Sequence, residues 1–432
     1  MVPVRYNSLV AKLIFWAFCC GVALAGCGGT SGSDSIVAPA ADPTCSTTAI
    51  QAISSQTDNL AQLQAPGVIV PPTTISRAVD DGVTAHTNHL IAQGSATSRL
   101  IGPTGLTPDK VRTAYNIPPN LGSGAIAIVD AFHYPTSLSD FNTFSTQFGL
   151  PVETSANSTA STNGVFQVVY AAGTMPTTDT GWSQEMAIDT QWAHAMAPNA
   201  KIFLVEAKSA SVVDLMAAVN IAKALPNVKQ VSMSFGSTES ACNFVHYDPN
   251  LVQNGVTFFA ASGDTPNVKS FPSLSKNAVS VGGTTLNLDG SGNRVSENCW
   301  SQTGSGKSAF EPRPTFQNKV GTIVLGYRGG CDIAAVGDPA TGVSVFDSTP
   351  SGGISGWINF GGTSVACPII AGIVNAGGVP HSSSQALNVS LYSLLGTSNI
   401  YDITHGTSGV NSADHGWDYV SGVGAPNGIN GL

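Results

Sequence analysis

The chain has 432 residues, of which 17 are Lys or Arg and 26 are Asp or Glu, giving a net charge of −9 and a charged fraction of only 10%. So few basic residues exclude the Lys and Arg clusters that phosphate backbones require, and no nucleic-acid partner is expected. A 42% hydrophobic content is not that of a disordered chain, so a sizeable packed core is expected.

Residues 1–26 read as an export signal. Arg5 and Lys12 form a basic start, and Leu13 to Leu24 is an uncharged apolar run, short for a membrane span. Its end, Leu24-Ala25-Gly26-Cys27, resembles a bacterial lipobox, which implies a lipid anchor on Cys27; a plain secretory signal cleaved near Ala25 is the alternative. Gly28 stands where an aspartate would favour inner-membrane retention, so the outer membrane or cell surface is expected, with extracellular release as a further route. Two or more acyl chains suffice for a stable anchor. From 27 to 105 the chain is rich in Gly, Ser, Thr, Ala and Pro and reads as a tether or pro-segment remnant, with one short helix near 46–64. An oxidising compartment permits disulfides, for which Cys242, Cys299 and Cys331 are candidates alongside Cys45 and Cys367, with connectivity open.

After Leu106, apolar β-type runs alternate with helical periods. Strands are expected at 125–129, 165–170, 201–205, 231–235, 256–260 and 278–281, and helices at 138–148, 181–196, 211–224 and 364–375. This alternation predicts an α/β domain with a mostly parallel sheet covered by helices on both faces, with a site beyond the carboxyl ends of the strands.

Three segments carry chemistry. In Gly361-Gly362-Thr363-Ser364-Val365-Ala366-Cys367-Pro368, glycines ahead of a serine that opens a helix present the hydroxyl as a nucleophile. Glu185 and Asp189 stand at i and i+4 on a predicted helix with apolar neighbours, one face carrying both carboxylates. Such a pair shares a proton and works in acid. Phe258 to Ala261 runs into Ser262-Gly263-Asp264, which places Asp264 at a strand's carboxyl edge, where a protonated carboxyl can donate to an oxyanion. None of the eight histidines lies in an H-G-T-type segment, so a histidine-dependent subtilisin is not expected.

Glu185, Asp189, Asp264 and Ser364, in that order, resemble the catalytic set of the sedolisin family, the serine-carboxyl peptidases with a subtilisin-like fold. The likeness covers residues 106–432 and includes Leu106-Thr107-Pro108, Ala197-Pro198-Asn199-Ala200, Ser232-Met233-Ser234-Phe235-Gly236 and Val281-Gly282-Gly283-Thr284. It implies an acid endopeptidase acting on proteins or peptides as a monomer. Ser364 would attack, Glu185 accept its proton, Asp189 orient Glu185, and Asp264 complete the oxyanion hole. It also implies one calcium ion, held by the carboxylates of Asp402 and Asp418 and the carbonyls of Ile403, Asp414 and Gly416, although Asp414 replaces a frequent glycine. Asp130 would be an acidic neighbour of the glutamate. Two departures stand out: the 27–105 stretch is short beside the family's folded propeptides, and Met186 replaces a frequent aromatic. The competing reading is a catalytically silent surface-binding lipoprotein on the same scaffold.

Overall fold

Strands and helices alternate along much of the chain. The structure, a computed structural model, describes residues 67–93 and 102–432; the expected signal at 1–26, Cys27 and the helix near 46–64 lie outside them. It begins with three short strands, β1 (Val68–Ile69), β2 (His86–Thr87) and β3 (Leu90–Ala92). Then come α1 (Pro108–Ala114), β4 (Ala125–Ala131), α2 (Ser137–Phe148), β5 (Phe166–Tyr170), α3 (Thr180–Met196), β6 (Lys201–Ala207), α4 (Val212–Ala222) and β7 (Val228–Met233). They continue with β8 (Phe235–Thr238), α5 (Ala241–Tyr247), β9 (Thr257–Ala261), β10 (Ser270–Phe271), β11 (Val279–Leu288), β12 (Arg294–Cys299), β13 (Gly306–Pro312), α6 (Gly321–Val324), β14 (Tyr327–Gly330) and β15 (Ile333–Val336). The hairpin β16 (Val343–Ser351) and β17 (Ile354–Gly361) leads into α7 (Thr363–Gly377), followed by α8 (Ser384–Ser393).

The central sheet runs β12-β11-β9-β7-β4-β6-β5, with β15 beside β11. Every pairing in it is parallel except β11 with β12. All seven residues of β4 are buried, as expected of a parallel strand with both faces covered. Helix α3 starts where the Asp179 carboxylate accepts from the Gly181 and Trp182 N–H groups, both at 3.0 Å. From Gly181 to Met196 it is buried on all sides, so carboxylates on it are removed from water wherever they point.

The expected strand at 231–235 is broken at Ser234, with β7 ending at Met233 and β8 starting at Phe235. The stretch expected as a tether carries strands in its described part: β3 extends the β16–β17 hairpin, and β2 pairs with β8 beside β10. Two of the disulfide candidates, Cys299 and Cys331, are buried free thiols, as is Cys367, whereas Cys242 is disulfide-bonded. Burial raises the Cys331 thiol to about 12.

Candidate functional site

Three elements deliver the four expected residues to one buried place. Helix α3 carries Glu185 and Asp189, the turn after β9 carries Asp264, and Ser364 is the second residue of α7. Ser364 follows Gly362, whose φ of 107° a side chain would strain. The Ser364 hydroxyl donates to the Ser234 carbonyl at 3.1 Å, and the Ser234 hydroxyl donates to Asp189 Oδ1 at 2.8 Å. The break between β7 and β8 thus links nucleophile and carboxylate pair through one residue. Asp264 Oδ1 accepts from the N–H and hydroxyl of Thr363, both at 2.8 Å, while its Oδ2 has no partner.

The site is filled by the chain's own residues 86–92. The Asn88 carbonyl accepts from the Ser364 N–H at 3.0 Å. A Cβ built on Gly362 would lie 2.2 Å from that carbonyl oxygen and 2.7 Å from Asp264 Oδ2, so both oxygens crowd the same glycine. A peptide carbonyl therefore sits where an oxyanion hole is expected, between the nucleophile's N–H and the unpartnered Asp264 oxygen. His89 Nδ1 lies 2.6 Å from Glu185 Oε2, and its Nε2 is 3.4 Å from Gln184 Oε1.

Burial dominates the electrostatics. Glu185 is raised to about 8 because its carboxyl is desolvated. Asp189 is held well above the usual carboxylate range by burial and then by Glu185. Asp130 is raised by burial, then by Asp189 and Glu185, which puts it beside the pair as expected, with neither oxygen hydrogen-bonded. Asp264 is raised by burial against its two bonds from Thr363. Burial lowers His89 to about 4, so at intermediate pH a protonated Glu185 donates to a neutral imidazole. That tautomer places an Nε2–H towards Gln184 Oε1.

Sequence reasoning missed Asn88, His89 and the bridging role of Ser234. The available signal was the change from Gly/Pro-rich chain to Thr87-Asn88-His89-Leu90-Ile91, a run with apolar and β-branched members.

The expected calcium ligands gather at the far end of the chain. Gly416 N–H donates to Asp402, at 3.3 Å to Oδ1 and 3.1 Å to Oδ2, and Asp414 N–H donates to Asp418 Oδ2 at 3.0 Å. One loop therefore touches both carboxylates. The carbonyls of Ile403, Asp414 and Gly416 accept no hydrogen bond among the described residues, and burial raises Asp418 to about 6. An oxygen-rich donor set with unused carbonyls suits a hard cation. Among the described residues no group of three or more His, Cys, Asp or Glu gathers to hold a metal ion.

Comparison with known proteins bears on the scaffold. Residues 171–376 match the subtilase family, a peptidase family. Sedolisin of Pseudomonas sp. (strain 101) is 25% identical over 389 residues, which cover 79% of this chain and 63% of that protein. The solved structure of Pseudomonas sedolisin, a serine-carboxyl proteinase complexed with two molecules of pseudo-iodotyrostatin, superposes with a TM-score of 0.63. The match is 24% identical and covers 76% of this chain and 96% of that one. The fold is subtilisin-like. This chain thus spans less than two thirds of the curated relative.

Proposed function

We propose that the protein is an acid-acting serine-carboxyl endopeptidase. The observation that carries this reading is the Asn88 carbonyl at 3.0 Å from the Ser364 N–H, beside the free oxygen of Asp264. Ser364 Oγ attacks the scissile carbonyl carbon and Glu185 takes its proton. The Ser364 N–H and a protonated Asp264 stabilise the oxyanion, and Glu185 returns the proton to the leaving amine. Asp189, anchored by Ser234, orients Glu185 and shares its negative charge. With Glu185, Asp189, Asp130 and Asp264 all raised by burial, a low working pH keeps Asp264 able to donate.

Substrates are proteins or peptides. One calcium ion would be held by Asp402 and Asp418 with the carbonyls of Ile403, Asp414 and Gly416, cross-linking residues 402–403 to the 414–418 loop. The mature chain is exported and tethered through lipidated Cys27 at the outer membrane or cell surface. Hydrolysis of a denatured protein at about pH 3–5 tests the reading, with Ser364→Ala and Glu185→Ala both expected to abolish it. An optimum at about pH 8, or activity indifferent to the serine, would overturn it.

A further inference from the structure

The segment in the cleft is held as a substrate would be. Before Asn88, β2 pairs antiparallel with β8, with His86 opposite Gly236 and Thr87 opposite Phe235. After His89, β3 pairs antiparallel with β17, with Leu90 opposite Gly361 and Ile91 opposite Phe360. Strand β8 begins one residue after Ser234, and β17 ends just before Gly362. Backbone pairing on both sides is the sequence-tolerant half of peptide recognition, and here it brackets two residues, Asn88 and His89, joined by the bond whose carbonyl meets the Ser364 N–H.

One side chain adds selectivity. Asn88 Nδ2 donates to the Ser234 carbonyl at 2.9 Å. A Cβ on Gly236 would lie 3.7 Å from Nδ2, and one on Gly263 would lie 3.9 Å from Oδ1, so the backbones at both glycines line the amide at ordinary contact distance. Asn88 is fully buried and its Oδ1 has no partner.

We infer that the Asn88–His89 bond is the protein's own processing site, and that the same contacts select an amide side chain on the acyl side of the bonds it cuts. This rests on the peptidase reading and adds to it a site and a substrate class. In the step, Ser364 Oγ bonds to the Asn88 carbonyl carbon as its proton moves to Glu185, which passes the proton it already holds to His89 Nδ1, 2.6 Å from its Oε2, and recovers it once the leaving nitrogen is protonated. The carbon–nitrogen bond to His89 breaks, and the serine's proton passes to the departing nitrogen, which becomes a new N-terminal amine. Water then hydrolyses the ester, giving its hydroxyl to Asn88 as a carboxyl group and a proton back to Ser364. The occupied cleft means that no external substrate reaches Ser364 until residues 86–92 leave. A leucine at position 88 offers no donor to the Ser234 carbonyl, and an ionised aspartate adds charge beside Glu185 and Asp264.

The test uses the full chain, incubated in acid and followed by intact mass and N-terminal sequencing. Wild type is expected to yield a chain beginning at His89, and Ser364→Ala to stay uncut. Asn88→Leu is expected to slow cutting by about tenfold or more, as a hydrogen-bonding pocket rejects a side chain that cannot reciprocate. Since that variant can fail to fold, processed wild type is also assayed on quenched peptides carrying Asn, Leu or Asp before the scissile bond, with kcat/KM for Asn about tenfold or more above the others. Wild type that hydrolyses denatured protein through Ser364 yet stays intact, or starts elsewhere, overturns the processing site and leaves the peptidase reading standing. Equal rates on the three peptides overturn the amide selection. Absence of any Ser364-dependent hydrolysis overturns both readings together.

Discussion

Asp347 offers a clean measure of how the buried carboxylates bind the fold to acid. It lies in β16, fully buried, with Oδ1 accepting from the Thr349 N–H at 2.8 Å and Oδ2 unpartnered. Burial raises it from 3.8 to about 7, with the nearby Asp140 adding to the rise. A carboxyl raised on folding contributes stability that is complete below the unfolded value, fades as pH rises, and is lost above the folded value. The window is therefore 3.8 to about 7, and a shift of about three units corresponds to about 4 kcal/mol. Asp347→Asn keeps the Oδ1 acceptor for Thr349 and cannot ionise. Any packing cost of the amide is the same at every pH, so the difference between variant and wild type, compared at about pH 4 and about pH 8, isolates the ionisation. In a Ser364→Ala background, which prevents self-digestion, urea unfolding is expected to show the variant gaining about 3–4 kcal/mol relative to wild type on going from acid to alkali. Parallel stability curves for the two chains would refute the burial argument for Asp347.

Three further outcomes follow from the site geometry. Ser234→Ala removes the hydroxyl that holds Asp189 at 2.8 Å, and should lower kcat about tenfold or more with KM little changed and the acid limb of the pH profile displaced; an unchanged kcat and profile would leave Ser234 a structural residue. Gly362→Ala places a methyl 2.2 Å from the Asn88 carbonyl oxygen at a φ of 107°, and should abolish hydrolysis and lower stability by about 1–2 kcal/mol, read by peptide assay and urea unfolding. Asp402→Ala should lower the melting temperature in calcium relative to wild type, and identical wild-type melting with and without chelator would remove calcium from the fold.

The sheet and its helices were legible because their signals are local. The run at 125–129 is apolar throughout and that at 201–205 is apolar after Lys201, and these strands emerge as β4 and β6, paired residue for residue from Ala125 with Lys201 to Ala131 with Ala207. The i, i+4 spacing of Glu185 and Asp189 was likewise legible because one helix carries both. Asn88 and His89 were not, since their environment is assembled from β8, β17, α3 and α7, each more than 90 positions away in sequence from Asn88. A two-residue strand such as β2 has no periodicity to read; tertiary pairing alone makes it a strand. The break at Ser234 escaped for a related reason, as Val231 to Phe235 alternates apolar residues with serine, a strand-like pattern, and only the geometry of the site separates β7 from β8.

The scarcity of charge acquires a physical meaning at the site. The influences on Glu185, Asp189, Asp130 and Asp264 are burial, neighbouring carboxyls and hydrogen bonds, with no lysine or arginine among them. A group of buried acids without a cation can keep its negative charge low only by binding protons. Expelling residues 86–92 readmits water to Glu185 and removes His89 from it, so its carboxyl should titrate lower in the processed chain than the value of about 8 it has when covered. The pH profile of hydrolysis should therefore have its Glu185 limb below the pH at which the intact chain holds that proton. A processed enzyme whose limb stayed at about 8 would show that residues 86–92 are not what desolvates the glutamate.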